Sequence, residues 1–228
     1  MRKTPQRVEL KKAYSYKDLD ILISKLMNSN LRFYRPYPPR KINSLYFDSS
    51  DYSAINESLS GDSLRVKTRL RWYGKYLTPN NPILENKFKN GIYSWKCLQP
   101  TNFKYLDNAK DWFSALKQQD SKKEKCIRQM LPINQQTPVS IVSYYRYYYE
   151  SKDRSVRVTI DKNIEFFDQR TKKAPNLKYS RKINQTIVCE IKIDKKNINK
   201  ITDFTNEISF QSQRFSKYCE STKFNRIY

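Results

Sequence analysis

The sequence contains no histidine. That removes Ser-His-Asp and Cys-His nucleophilic schemes and every imidazole metal site. Its cysteines, Cys97, Cys126, Cys189 and Cys219, are scattered without a Cys-x-x-Cys pair, so reduced and mostly buried thiols are expected. Acidic residues are scarce: 22 Asp and Glu stand against 45 Lys and Arg, a formal net charge of +23. There is no Gly/Ser linker, no internal repeat and no low-complexity tract, which points to one domain over residues 1–228. The lack of a signal peptide and of an apolar run long enough to span a bilayer predicts a soluble, cytoplasmic protein without a transmembrane segment. What remains is a chain of 228 residues, 38% hydrophobic, able to build a core and in need of an anionic partner. Nucleic acid, a membrane surface and a phosphorylated small molecule or polymer are the candidate partners.

The most informative segment is Leu-Arg-Val-Lys-Thr-Arg-Leu-Arg-Trp at 64–72. Arg65, Lys67, Arg69 and Arg71 recur at every second residue, a period that places all four on one face of a strand. On a helix they would spread around the axis. Cations about 7 Å apart repel unless water or an anion lies between them, so an inward-facing row of this kind forms one wall of a polyanion site.

Other segments share the format. Arg7, Glu9 and Lys11 share one face of a short strand candidate, as do Glu85, Lys87 and Lys89 in the strand candidate at 83–89. Strands are expected at 42–48, 93–98 and 139–149. At 155–161, Arg157, Thr159 and Asp161 oppose Val156, Val158 and Ile160, and at 187–193, Glu190 and Lys192 oppose Ile187, Cys189, Ile191 and Ile193. Helices are expected at 17–28, started by Ser15 and Asp18, from Ser50 through Leu59, at 102–125 with Trp112, Phe113 and Leu116 buried, and at 197–210. A sandwich would leave the charged faces in water. Their density and cationic bias favour an α+β fold instead, a closed antiparallel barrel with a polar lumen and helices packed outside.

Eight segments in order carry a family resemblance: Arg-Val-Glu-Leu-Lys (7–11), Ser-Leu-Tyr-Phe-Asp (44–48), Arg-Val-Lys-Thr-Arg-Leu-Arg-Trp-Tyr (65–73), Leu-Glu-Asn-Lys (84–87), Ser-Tyr-Tyr-Arg (143–146), Val-Arg-Val-Thr-Ile-Asp (156–161), Cys-Glu-Ile-Lys (189–192) and Phe-Ser-Lys-Tyr (215–218). Together they resemble the VTC domain, the polyphosphate polymerase branch of the CYTH/triphosphate tunnel metalloenzymes. The resemblance implies an eight-stranded antiparallel barrel forming a tunnel lined by Lys, Arg and Glu. It implies triphosphate binding by Lys11, Arg69, Arg71, Lys87, Arg146, Arg157 and Lys217, with Arg69, Arg71, Arg146 and Lys217 catalytic. Glu190 is implied as the carboxylate holding a divalent metal, Mn²⁺ or Mg²⁺, helped by Glu9, Glu85 and Asp161. Arg7 stands where the wider superfamily has a first glutamate, which fits the VTC branch, and Asn86 replaces a usual apolar residue.

The implied partners are ATP and inorganic polyphosphate, with no specific nucleic acid, and the implied reaction is transfer of the γ-phosphate to a growing chain. Hydrolysis in the same tunnel and polyphosphate binding without turnover are the alternatives. Arg65, Lys67, Lys89 and Lys192 are expected at the rim or in solvent. Tyr144 to Tyr149 are expected to pack in a β-rich core, and Asp48 to be structural.

Overall fold

The structure is a computed structural model that describes residues 2–3, 7–74, 80–101, 136–170, 175–183 and 185–224. The helix expected at 102–125 and Cys126 lie outside the described residues. Eight strands build the body: β1 (Arg7–Ser15), β2 (Arg40–Asp48), β3 (Leu64–Tyr73), β4 (Asn80–Asn90), β5 (Tyr93–Pro100), β6 (Thr137–Glu150), β7 (Val156–Asp168) and β8 (Thr186–Asp194). They are hydrogen-bonded in the order β5–β1–β8–β7–β6–β2–β3–β4, and β4 pairs again with β5, so the antiparallel sheet closes on itself. Two short strands, Arg2–Lys3 on β5 and Arg181–Ile183 on β7, extend it. The expected closed barrel is the observed one.

Closure follows from what each strand carries. Alternation gives β1, β3, β4, β7 and β8 one charged and one apolar face. A closed sheet turns the charged faces toward one another and offers the apolar faces to helices. Outside the barrel, Val156, Val158, Ile160, Ile187, Cys189, Ile191 and Ile193 are buried beneath α1 (Leu19–Met27) and α3 (Lys200–Glu207), with Leu22, Leu26 and Phe204 as the helices' contributions. Each such side chain contributes about 1.5–3 kcal/mol of hydrophobic stabilisation. The expected helix at 17–28 opens as a 3-10 turn, Tyr16–Asp18, in which the Ser15 hydroxyl accepts from the Lys17 amide at 3.4 Å. Cys97, Cys189 and Cys219 are buried.

Helix α2 (Ser53–Ser60) is anchored by Asp48 rather than by Ser50. One Asp48 oxygen accepts from the Ala54 amide at 2.9 Å, the other from the Ile55 amide at 3.2 Å and from the Tyr218 hydroxyl at 2.7 Å. Asp48 is therefore structural, and it satisfies N–H groups that the first turn of a helix leaves open. Tyr218 lies on α4 (Lys217–Phe224), which ties three successive residues to three parts of the barrel. The Ser216 hydroxyl accepts from Lys67 of β3 at 2.9 Å, Lys217 pairs with Asp161 of β7 at 2.5 Å, and Tyr218 reaches the end of β2. The Tyr218 ring also stacks on Tyr46, centroids 4.8 Å apart. Among the described residues no helix is long and apolar enough to cross a membrane.

Candidate active site

Cross-strand partners share a face, so the registers identify the lumen lining. Glu190 is opposite Lys11 and Thr159, Lys192 opposite Glu9, Arg69 opposite Glu85, Lys87 opposite Lys67 and Lys96, and Arg146 opposite Asp161. Among the described residues the lumen thus gathers nine basic side chains, Lys11, Lys67, Arg69, Arg71, Lys87, Lys96, Arg146, Lys192 and Lys217 from α4, around four carboxylates, Glu9, Glu85, Asp161 and Glu190. Basic groups exceed acidic ones by five.

The four carboxylates are used differently. Glu85 is the counterion of three cations at once: Arg69 donates through Nη2 at 2.6 Å and Nε at 2.9 Å, Arg71 stands at 3.0 Å, and Lys96 at 3.3 Å. Asp161 is fully buried and receives Arg146 in a two-pronged pair at 2.6 and 2.7 Å, with Lys217 at 2.5 Å. Arg146 and Asp161 form a bidentate pair, whereas both Arg69 donors meet one Glu85 oxygen; all these contacts are charge-assisted and hold the arginines in place. Glu190 is held more loosely. Its neighbours Lys192, Lys11 and Arg146 stand at 3.3, 3.5 and 3.5 Å, outside the range of a tight charged hydrogen bond. Glu9 accepts from Lys87, and Lys11 lies 3.8 Å away.

Glu9 and Glu190 therefore stand on adjacent strands with lone pairs that the arginines do not occupy. Carboxylate oxygens without imidazole or thiolate suit a hard divalent ion such as Mg²⁺ or Mn²⁺, which takes few protein ligands and completes its shell with phosphate and water. Among the described residues no group of three or more carboxylates, thiols or imidazoles gathers into a full protein cage. The donor set fits an ion shared with a phosphorylated ligand.

Charge neighbours set the protonation of the lumen. Burial alone would raise the Glu9 carboxyl, but Lys87 beside it brings it down to about 2. Glu190, Glu85 and Asp161 are also held below the ordinary range, against the desolvation of burial, by Lys11, Arg69 and Arg146 respectively as the foremost cations. Burial pushes Lys96 well below the usual lysine value and Lys87 down as well, so an arriving anion would favour their charged forms. Tyr46 accepts from Arg69 Nη1 at 3.1 Å, and although burial opposes it, Arg69 and Arg71 lower its phenol. These shifts set the acid sensitivity of the ligand-free protein. A carboxylate with a depressed folded pKa stabilises the fold above its unfolded value and loses that contribution as pH falls toward the folded one. The urea midpoint is thus expected to fall between about pH 4.5 and about pH 2, the interval Glu9 spans, with the other three carboxylates acting in the same direction. A midpoint flat across that interval in a urea–pH series would contradict the ion-pair network.

The structure brings Lys11, Arg69, Arg71, Lys87, Arg146, Lys217, Glu9, Glu85, Asp161 and Glu190 into this one lumen. Arg157 is separated from it: its side chain is 51% exposed and pairs with Glu150 at 2.9 Å near the barrel end. Lys192, expected in solvent, lines the lumen beside Glu190 because residues two apart on β8 share a face. Lys67, also expected at the rim, is half-buried and donates to Ser58 at 2.7 Å and Ser216 at 2.9 Å. Burial brings its ammonium down to about 8. Arg65 stays at the margin, donating to the Asp62 carbonyl at 2.5 Å, and Lys89 is half-buried. Sequence reasoning missed Lys96 and Tyr46. Both lie in recognised strands, and the alternation that singled out Lys87 would have found Lys96 across from it.

Among the described residues three inward polar atoms are buried without a partner: Arg71 Nε, Ser44 Oγ and Thr159 Oγ1. Ser44 is the register partner of Arg71 and Thr159 that of Glu190, so the vacant hydrogen-bonding capacity flanks the charged cluster. Donors buried without partners are costly, and an anion in the lumen would satisfy them. Asn86 faces away from the lumen, its Oδ1 likewise buried without a partner.

Comparison with solved structures places this barrel among proteins of similar architecture. A candidate adenylate cyclase from Bacillus halodurans aligns with a TM-score of 0.56 at 14% identity, covering 95% of this chain and 96% of that one. HpAC1 from Hippeastrum, a candidate adenylyl cyclase with a dominant triphosphatase activity, aligns at 0.54 and 12% identity, covering 98% of both chains. A candidate adenylate cyclase from Vibrio parahaemolyticus gives 0.51 and 12%, covering 96% and 98%. At these identities the likeness is one of fold. A search of curated proteins found no match. The VTC domain family model matches residues 4–225, nearly the whole length, and the chain therefore belongs to the VTC domain family.

Proposed function

We propose that the protein is an ATP-dependent polyphosphate polymerase acting in the cytoplasm. The triphosphate of ATP lies in the lumen, a terminal phosphate oxygen of a growing polyphosphate chain attacks the γ-phosphorus in line, and the bond to the β-phosphate oxygen breaks as ADP leaves. The observation that carries this reading is the excess of five basic groups in the lumen, comparable to the roughly four negative charges of a nucleoside triphosphate. Arg69, Arg71 and Arg146 balance charge on the transferred group. Lys11, Lys87, Lys192 and Lys217 add point charges along the triphosphate, and Arg157 meets the phosphate chain at the barrel end. Phosphoryl transfer is served mainly by such positioning and electrostatic stabilisation.

Glu190, with Glu9, would hold Mn²⁺ or Mg²⁺. Such an ion, when bound, draws charge from the phosphate oxygens. Glu85 and Asp161 act one step back: they keep the arginine forks aimed into the lumen, so they position rather than touch the ligand.

The triphosphatase activity of HpAC1 on a similar barrel supports hydrolysis in the same lumen as a second reading. Incubation of the purified protein with ATP and Mn²⁺ separates them. Acid-insoluble polyphosphate with stoichiometric ADP is expected. Orthophosphate without polymer would favour the hydrolase, and tight polyphosphate binding without turnover would leave only a binding protein.

A further inference from the structure

The lumen reading accounts for the phosphates and leaves the rest of a nucleotide without a contact. Residues beyond Arg146 supply one. Tyr148 follows Arg146 by two positions on the same face of β6, about 7 Å further along. Arg40 is the cross-strand partner of Arg146. The Arg40 guanidinium lies 5.0 Å from the Tyr37 ring centroid and 5.9 Å from that of Tyr148, and the two rings meet edge to face at 5.8 Å and 87°. Burial raises the Tyr148 phenol, with Arg146 opposing and Tyr73, at the end of β3, adding to the rise.

Two features distinguish this corner from ordinary core packing. Tyr37 is 54% exposed, so its ring is presented rather than buried. It is held between Pro36 and Pro38, whose fixed φ restricts the backbone and lowers the entropy lost when the ring is engaged. Arg40, also exposed, pairs with no carboxylate among the described residues, so its charge, held against the two rings, remains available to an anionic ligand. Two tyrosine rings meeting edge to face, with a guanidinium beside both, form a stacking corner for a nucleobase.

We propose that Tyr37, Arg40 and Tyr148 form a nucleobase platform at the barrel end, which takes the purine of a nucleoside triphosphate while its phosphates occupy the lumen. The inference rests on the lumen being a triphosphate site, and it adds that the protein prefers a nucleotide to a bare triphosphate. Binding of ATP and of inorganic tripolyphosphate to the full chain, measured by calorimetry, tests it without requiring turnover. The wild type is expected to bind ATP more tightly relative to tripolyphosphate than Tyr37→Ala does. The ratio of the two dissociation constants is expected to shift by about tenfold, in keeping with the usual effect of removing a base-stacking ring. Arg40→Lys, which keeps the charge and loses the plane, is expected to shift the ratio in the same direction, and Tyr37→Phe to preserve it. Equal losses for both ligands in Tyr37→Ala, or an unchanged ratio, would overturn the platform while leaving the lumen reading intact. A wild type that binds neither ligand would overturn both. Failure to make polymer, with the ratio shift present, would overturn the polymerase alone.

Discussion

Glu190→Gln is expected to lower ATP-dependent polymer synthesis by a hundred-fold or more. The side chain keeps its size and one acceptor, so the barrel should fold. What it loses is the negative charge that the loose contacts at 3.3 to 3.5 Å leave available to a metal ion. Removing one electrostatic element from a preorganised site costs on the order of 10²–10³ in rate. Binding of bare triphosphate should move the other way, because the variant has one fewer carboxylate competing for Lys11, Lys192 and Arg146. Steady-state rates across a Mn²⁺ titration, with tripolyphosphate affinity measured alongside, make the comparison. Unchanged synthesis at every metal concentration would remove Glu190 from the reaction.

For Glu85→Gln the large effect is expected on stability. Arg69, Arg71 and Lys96 all converge on this buried carboxylate, and its replacement by an amide removes the charge that all three share. Breaking a buried pair by deleting one partner costs about 3–5 kcal/mol. Urea unfolding should show a deficit of that size at neutral pH. Tripolyphosphate should narrow the gap between variant and wild type. A ligand at a hundred times its dissociation constant stabilises the folded state by about 2.7 kcal/mol, and a lumen with more unbalanced positive charge should bind it more tightly. A deficit that ignores the anion would mean that Glu85 supports the barrel without serving an anion site.

Much of this was legible because strand periodicity is a hard constraint. Four cations at spacing two on β3 can share a face in only one regular conformation, and the same reasoning put Glu9 beside Lys11 and Glu190 opposite the apolar row of β8. Lys192 shows where such reasoning gives way. It stands two residues from Glu190 and so shares its face, yet an isolated lysine is usually a solvated one, and only closure of the barrel turns that face inward. Helix α4 was illegible for a different reason. Its eight residues make little more than two turns and carry no apolar stripe, and its position comes from long-range contacts of Ser216, Lys217 and Tyr218 that local spacing cannot encode. The division of labour among the carboxylates also needed coordinates, because alternation shows that Glu85 and Glu190 face inward but not how many cations each one holds.

The strand order also bears on how the chain is made. β1 matches β8 over nine residue pairs, from Arg7↔Asp194 to Ser15↔Thr186, but meets β5 at only two, Arg7↔Ser94 and Val8↔Tyr93. During vectorial synthesis the first barrel strand therefore emerges long before its main partner exists. Meanwhile the hairpins β3–β4, β4–β5 and β6–β7 can each form as they leave the ribosome, being close in sequence. Until residue 194 is out, β1 is a strand edge with a basic face and little to pair with. Non-local closures of this kind slow folding and expose unpaired edges to other chains. Closure of the barrel thus waits for β8, the last of its eight strands to be made.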